Sequence, residues 1–440
     1  MGIFHALCRS AIVVWIWSGF SALGTVYHSD GSAASVQGLH NQLLNGDTIT
    51  LPAGTFTWTT GVNFTKAINV VGAGIGRTTI NDNVPKNGTQ ASVLWRFDVA
   101  KGKSIDISGF TVHGQAQDTQ GWQLGTLAIR GSSHAVRVHN IQMVSPGTLG
   151  ILFTGALWGV VDHSDFRCAN GKIAIYVQHN NWPGASGSFG DGSWYDSTQL
   201  GSGKGIYVED CTFTGDGRGG SPCIDGYSGG RLVFRHNTVT NNNVGWHGTE
   251  GDRNQGTRTF EVYQNTFSSN VLMARCVQLR GGTGVVWGNT VHGTGGPTGY
   301  VDFVTVLNFR SFTSYGAPWF SPPGSVWDGN SNPNGYLLIG QIGAGKEADP
   351  VLRNGNGDPY NGTTGAPGWP HCAREPAYVW SNNWTPVPNN RGFYIGVQAT
   401  PQISIGRDVI NNGSTPKPGY TPYVYPHPLV TGGNPTISHT

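Results

Sequence analysis

Residues 246 to 258, WHGTEGDRNQGTR, bring His247, Glu250, Asp252, Arg253 and Arg258 close together in a chain where only 11% of residues are charged. An imidazole, carboxylates and guanidinium groups supply a base, an acid and a cation, the set needed for proton transfer beside an anionic substrate. In β-elimination from a uronic-acid polysaccharide, a base removes the C5 proton while a cation neutralises the adjacent carboxylate. His247 or Tyr227 would then serve as base or acid, and Arg280 or Arg258 as the cation. In glycoside hydrolysis two carboxyl groups flank the scissile bond, ~5 Å apart with retention or ~6.5–9.5 Å apart with inversion. Asp225 and Glu250 are the candidates for that pair.

The flanks of this stretch say what positions it. RLVFRHNTV and TFEVYQNTF repeat one pattern: a β-branched and aromatic run, then Asn-Thr, then an apolar residue. Aligning GVVDHSDF, YVEDCTF, VFRHNTV, EVYQNTF and VVWGNTV places Ser164, Cys211, Asn237, Asn265 and Asn289 in one column, at spacings of 47, 26, 28 and 24 residues. Apolar residues lie three before (Val161, Val208, Phe234, Val262, Val286) and two after (Phe166, Phe213, Val239, Phe267, Val291). The Asn is expected at a tight bend, where it tolerates a left-handed backbone and bonds locally. A second column precedes the first in each unit: Arg130, Thr154, Gln178, Tyr227, His247 and Arg280, with Ile129, Phe153, Val177, Gly226, Trp246 and Leu279 facing the other way. Alternation of period 2 marks strands. Two or three short strands per unit of roughly 24 residues predict an all-β parallel solenoid, whose coils bury their inward residues only by stacking. Gly226 is the odd member of its apolar column.

Stacking converts columns into distances of ~4.8 Å per coil. Tyr176 with Gln178, Asp225 with Tyr227, His247, and Gln278 with Arg280 then span ~15 Å of one outward face, the length of a few sugar residues. The charged stretch is a loop leaving that face. The insertion NNWPGASGSFGDGSWYDSTQLGSG, residues 180 to 203, is expected above it, with Trp182 and Trp194 as sugar contacts beside Tyr176, Gln178 and Arg253. Asp162, Glu209, Arg235, Tyr263 and Trp287 form a rival outward column. There Tyr263 and Trp287 would make an aromatic ladder for sugar rings, and Asp162 and Glu209 would offer oxygen ligands to Ca²⁺.

The rest of the chain bounds these readings. With 68 Gly, 24 Pro and 15 Trp it is poorly suited to helices. A formal charge of +2 gives no general pull toward nucleic acid or membranes. Residues 1–24, with Arg9 and the apolar run from Ala11 to Leu23, read as a secretory signal, too short for a membrane span, which makes the mature protein extracellular. Five cysteines remain without a CxxC pair, which argues against zinc; Cys211 and Cys223 would bridge in an oxidising compartment, or pack in the core. No cofactor is required. SDGSAASVQGLHNQLLNGDTITLPAGTFTW reads as a helix, a turn and a first strand pair capping a β-helix domain over 25–310, with 311–440 as late irregular coils and a tail packed on the solenoid. GAGIG at 72–76 follows a strand with no helix after it, and reads as a turn rather than a nucleotide loop.

GDTITLPAGTFTW, the repeated strand-Asn-Thr-apolar coils and the Asn column resemble right-handed parallel β-helix proteins of the pectate-lyase-like superfamily over roughly Ser29 to Arg310. RLVFRHN, HGTEG, TRTFEVYQNTF and TPYVYPHPL resemble a largely uncharacterised family of secreted bacterial β-helix proteins. GVVDHSDF is similar to the pectate-lyase strand with an Asp-His pair near calcium, carried here by Asp162 and His163. The Arg-x-Pro-x-x-Arg pattern of those lyases is missing, as are the paired-Asp and Gly-His-Gly signatures of polygalacturonases. The resemblance implies a carbohydrate-active protein, lyase ahead of hydrolase. A non-catalytic glycan-binding, adhesion or tailspike-like protein is the alternative. Oligomeric state is not legible.

Overall fold

The structure is a computed structural model, and it describes residues 24–432 apart from 87–91, 116–124, 148, 169–171, 183–189, 218–221, 249–255, 293–298, 308–340, 348–371, 385–391 and 396–402. The expected signal segment, Glu250, Asp252 and Arg253 therefore lie outside the described residues. Among the described residues no helix is long and apolar enough to cross a membrane.

The chain folds as the parallel β-solenoid that its columns predict. Each turn runs through three short strands. One full turn consists of Leu149–Gly155, then Gly159–Asp162 and Asp165–Cys168, before the next begins at Ile173–Gln178. The first strands of successive turns pair into a ten-stranded parallel sheet, and the other two build a longer sheet bent into two arms. Both predicted registers hold. In the first arm Asp162 pairs with Glu209, Glu209 with Arg235, Arg235 with Tyr263 and Tyr263 with Trp287. In the ten-stranded sheet Arg130 pairs with Thr154, Thr154 with Gln178, and Gln178 with Tyr227. The pairings Ile224 to Val244 and Val244 to Val277 carry the same column on to His247 and Arg280.

Inside the coils the aligned apolar residues stack on themselves. Val161, Val208, Phe234, Val262 and Val286 have no solvent exposure, and Phe166 stacks on Phe213 with 5.0 Å between ring centroids. Gly226 breaks its column because a Cβ there would lie 2.7 Å from Leu232 Cδ2 and 2.8 Å from Thr257 Oγ1. The neighbouring Trp246 is buried and stacks on Phe260 instead. A helix, Ala33–Gln42, covers the first coils, capped by Ser32, whose Oγ accepts from the Ser35 amide.

The bend between the two arms differs from expectation in one residue. The left-handed position is the residue before the Asn: His163, Asp210, His236, Gln264, Gly288 and Ser381 all have φ between 48° and 64°. That turn frees the Asn side chain to point inward, where it forms a ladder. Asn237 donates through its backbone and side-chain nitrogens to Asn265 Oδ1 at 2.9 and 3.1 Å. Asn265 does the same to Asn289, and Asn289 to Asn382. Each Nδ2 also donates to a carbonyl of the preceding coil, at Val208, Phe234, Val262 and Val286. Cys168, Cys211, Cys223 and Cys276 are free and buried. Of the two alternatives for Cys211 and Cys223, the structure has the second: both thiols are free and fill core positions.

A late segment closes over the first arm. Arg235 donates to the carbonyls of Tyr423 and Val424, the His427 amide donates to Glu209, and Tyr420 donates to Glu261. Burial pushes the His427 imidazole down to about 3, and His179, fully buried beneath the first arm's corner, is pushed to about 3 in the same way. An imidazole with a lowered folded-state pKa takes up a proton on unfolding between about pH 6.5 and its folded value, so its contribution to stability is lost as pH falls through that window.

Two outcomes follow for stability. Replacing Asn265 by Ala strands the Asn237 amide and removes the Nδ2 donor, and should cost about 3 kcal/mol in urea unfolding. On going from pH 7 to pH 4, the wild type should lose up to about 3 kcal/mol relative to His427→Asn, which cannot titrate.

Candidate active site

The two outward faces are built differently. On the first arm every charged outward side chain is satisfied within the protein. Arg137 Nε and Nη2 donate to the two oxygens of Asp162 at 2.9 and 2.8 Å. Arg235 binds Glu209 at 2.7 Å through Nε, and Glu209 also accepts from the His427 amide. Burial holds Glu209 above its usual range despite that arginine. Both carboxylates have no solvent exposure. Asp162 and Glu209, expected as calcium ligands, are therefore partners of arginines, whose cations take the place that a hard metal would need. His163 adds a 2.9 Å contact to Asp162, so the Asp-His pair exists, but its carboxylate already serves Arg137.

Tyr263 and Trp287 do form the expected ladder, stacked at 4.8 Å and 9°, with Trp380 continuing it at 5.7 Å. Tyr263 is only 1% exposed, however, and its hydroxyl accepts from Arg235. The face is occupied by Tyr423, Leu429 and Val430 of the late segment, which removes Tyr263 as a sugar platform.

The insertion also lands elsewhere than expected. Trp182 and Trp194 are buried. Trp194 donates to the Gly256 carbonyl and lies under the Arg258 guanidinium; Trp182 donates to Asp196 and lies under Arg231. Arg231 donates to the carbonyls of Ser193, Ser197 and Thr198, and burial beside Arg258 pushes it down to about 9. Both tryptophans are thus anchors, not sugar contacts. Arg258, with no solvent exposure and an Nη2 bond to the Asp196 carbonyl, is an anchor as well and not a catalytic cation.

The outward face of the ten-stranded sheet is the opposite case. Tyr176 pairs with Asp225, and Gln178 with Tyr227, so these four side chains occupy two adjacent coils. His247, one coil further on, has its Nδ1 2.8 Å from Asp225 Oδ2, while the other Asp225 oxygen accepts from the Gly226 amide. The Tyr227 ring lies 5.3 Å from the imidazole and the Tyr176 ring 6.3 Å away, edge to face. Asp225 is fully buried and both tyrosines nearly so, whereas the His247 side chain keeps 14% of its surface exposed. The Asp225 carboxylate and the His247 imidazole thus lie in ion-pair contact, without a hydrogen bond at Nδ1. Arg280 follows in the same column, with Arg275 donating to Gln278 beside it.

A cleft of about 570 Å³ opens on the same face toward the helix-capped end, lined by Arg96, Asp98, Arg130, Thr154, Gln178 and Asn180 among others. Gln178 belongs to both cleft and site. Arg96 and Asp98 escaped the sequence reading because their strand, Trp95–Val99, lies before the aligned repeats; Arg130 stood in the predicted column without a role.

No family model matches the chain and no curated protein matches it. Among solved structures it is similar to ORF18 of Geobacillus virus E2, at 14% identity over 65% of this chain and 58% of that one, with a TM-score of 0.34. It is also similar to an alginate lyase from Paenibacillus sp. str. FPU-7, at 16% identity over 64% of this chain and 99% of that one, with a TM-score of 0.38. The chain thus spans 58% of the length of the viral protein. At such TM-scores neither likeness bears on the chemistry, which rests on the geometry above.

Truncating Trp194 to Ala should destabilise the fold by about 3–5 kcal/mol in urea unfolding. Saccharide binding by the protein that remains folded should not change, which separates an anchor from a ligand contact.

Proposed function

We propose that this protein is a secreted polysaccharide lyase that cleaves a uronic-acid-containing polymer by β-elimination on the outward face of its ten-stranded sheet. The observation that carries the reading is the contact between His247 and the buried Asp225, flanked by the hydroxyl-bearing rings of Tyr227 and Tyr176. In this reading the His247 imidazole, beside the Asp225 carboxylate, takes the C5 proton of a uronate. The C5–H electron pair then forms the C4–C5 double bond, the C4–O bond breaks, and the leaving oxygen takes a proton from Tyr227. Arg280, one coil beyond His247, is the cation assigned to the C5 carboxylate, whose neutralisation makes that proton removable.

Hydrolysis has less support. It needs two carboxyl groups across one bond. Asp225 is committed to His247 and to the Gly226 amide, and its expected partner Glu250 lies outside the described residues.

The test is a panel of galacturonate, glucuronate, mannuronate and guluronate polymers, read by the ultraviolet absorbance of unsaturated uronates and by new reducing ends. Wild type should generate both signals on one polymer, and His247→Ala should lose at least about 10²-fold of the rate. Reducing ends without absorbance would establish hydrolysis instead. Binding without cleavage would establish a glycan-binding protein.

A further inference from the structure

The cleft beside the dyad has an arrangement that the elimination step does not use. Arg130, Thr154 and Gln178 are consecutive outward residues of one column, one strand spacing apart. Among the described residues Arg130 makes one ion pair, a long one from Nε to Asp98 Oδ1 at 3.5 Å, and its side chain keeps about a third of its surface exposed. Among the described residues its two terminal nitrogens, the Thr154 hydroxyl and the Gln178 amide make no hydrogen bond to protein. Asn180, which also lines the cleft, keeps a buried Oδ1 without a partner. Asp98 gives its close contact, 2.7 Å, to Arg96 and so holds that guanidinium at the cleft wall. Among the described lining residues, Arg96 and Arg130 stand against one carboxylate, Asp98.

On the first arm, by contrast, every outward arginine is neutralised by a carboxylate or buried under the covering segments. Two features further narrow the ligand. The floor between the polar groups is aliphatic, from Val99, Ala128 and Leu152, and among the described residues no aromatic ring lines it. A ligand held here is therefore gripped by charge and hydrogen bonds rather than by ring stacking.

We infer that this cleft is a remote subsite for the polymer, in which Arg130 pairs with a uronate carboxylate while Thr154 and Gln178 take hydroxyls of sugars nearer the reacting bond. The inference rests on the elimination reading for the position of that bond. Arg130 stands four coils from His247 along the column, or ~19 Å. The polymer then runs along the solenoid axis, with several sugars between Arg130 and the C5 proton. Binding at that distance raises affinity and sets the shortest good substrate without entering the chemical step.

The experiment compares hexameric oligouronates from the responding polymer, or from all four polymers if none responds, with neutral cellohexaose, by titration calorimetry and steady-state kinetics. The proteins are wild type, Arg130→Gln, Gln178→Ala and His247→Ala, each first shown to have the wild-type melting temperature. Arg130→Gln should weaken hexauronate binding roughly ten- to a hundredfold, since a charge-assisted hydrogen bond is lost. It should also flatten the salt dependence of binding, raise KM for the hexamer, and leave kcat and trimer cleavage as in wild type. His247→Ala should bind the hexamer as wild type does. Elimination by wild type with unchanged hexamer affinity in Arg130→Gln overturns the subsite and leaves the lyase reading intact. Hexauronate binding lost in Arg130→Gln, with no cleavage of any polymer, keeps the carboxylate grip and sinks the lyase. Equal affinity for cellohexaose and hexauronate overturns the assignment of a carboxylate ligand.

Discussion

Coils stacked one strand spacing apart impose the constraint from which the site, the core and the covering segments all follow. Each strand is too short to hold its place alone, and sliding it by one residue would turn its whole apolar set outward. The Asn ladder resists that slip. An amide has two donors and one acceptor oxygen, and Asn265 spends them on its own coil and on both neighbours. Because the ladder runs where no water can substitute, a shifted coil would leave several buried polar groups without partners at once. Register is thus set by polar groups as well as by the apolar stacks of Val161, Val208, Phe234 and Val262.

Fixed register makes the outer surface a grid, and the protein fills the two sides of that grid by opposite rules. On the first arm, opposite charges stand on neighbouring coils, as with Glu209 and Arg235, and two segments fold back to exclude water from them. On the ten-stranded sheet the residues of one column alternate in chemistry without cancelling: Arg130, Thr154, Gln178, Tyr227, His247. The first arrangement gives rigidity and the second leaves hydrogen-bonding capacity for something outside the protein. Asp225 is buried under this second face, in contact with His247.

Much of this was legible in the sequence because stacking maps position in the chain onto position in space. The columns through Asn237 and Tyr227 were readable from alternation alone, and with them the adjacency of Asp225, Tyr227 and His247. The bend was placed correctly, but its left-handed residue was misassigned by one, because the Asn side chain is needed inside. What the columns could not show is which segment returns to cover a face. Trp182, Trp194, Arg258 and Tyr263 read as surface groups in the sequence because their burial depends on residues 190–204 and 415–431, which carry no repeat. The pairing of Asp162 was hidden for another reason: Arg137 lies on a coil before the first aligned unit. That of Glu209 was in plain view, since Arg235 is the next residue of its own column.

The covering segment has a bearing on the order of folding. Glu209 and the His427 amide that serves it are 218 positions apart, and Arg235 waits 189 positions for the Val424 carbonyl. Coils can zip up from the capped end as they emerge, each on the last, with short loops to close. The first arm is then assembled long before its outer charges have their final partners, and water must serve Arg235, Glu209 and Glu261 meanwhile. Loop-closure entropy grows only slowly with length, so the distance itself is a modest obstacle. Its effect is temporal: the scaffold and the outer face of the ten-stranded sheet form early, and the first arm is sealed by residues 218 positions further along the chain than Glu209.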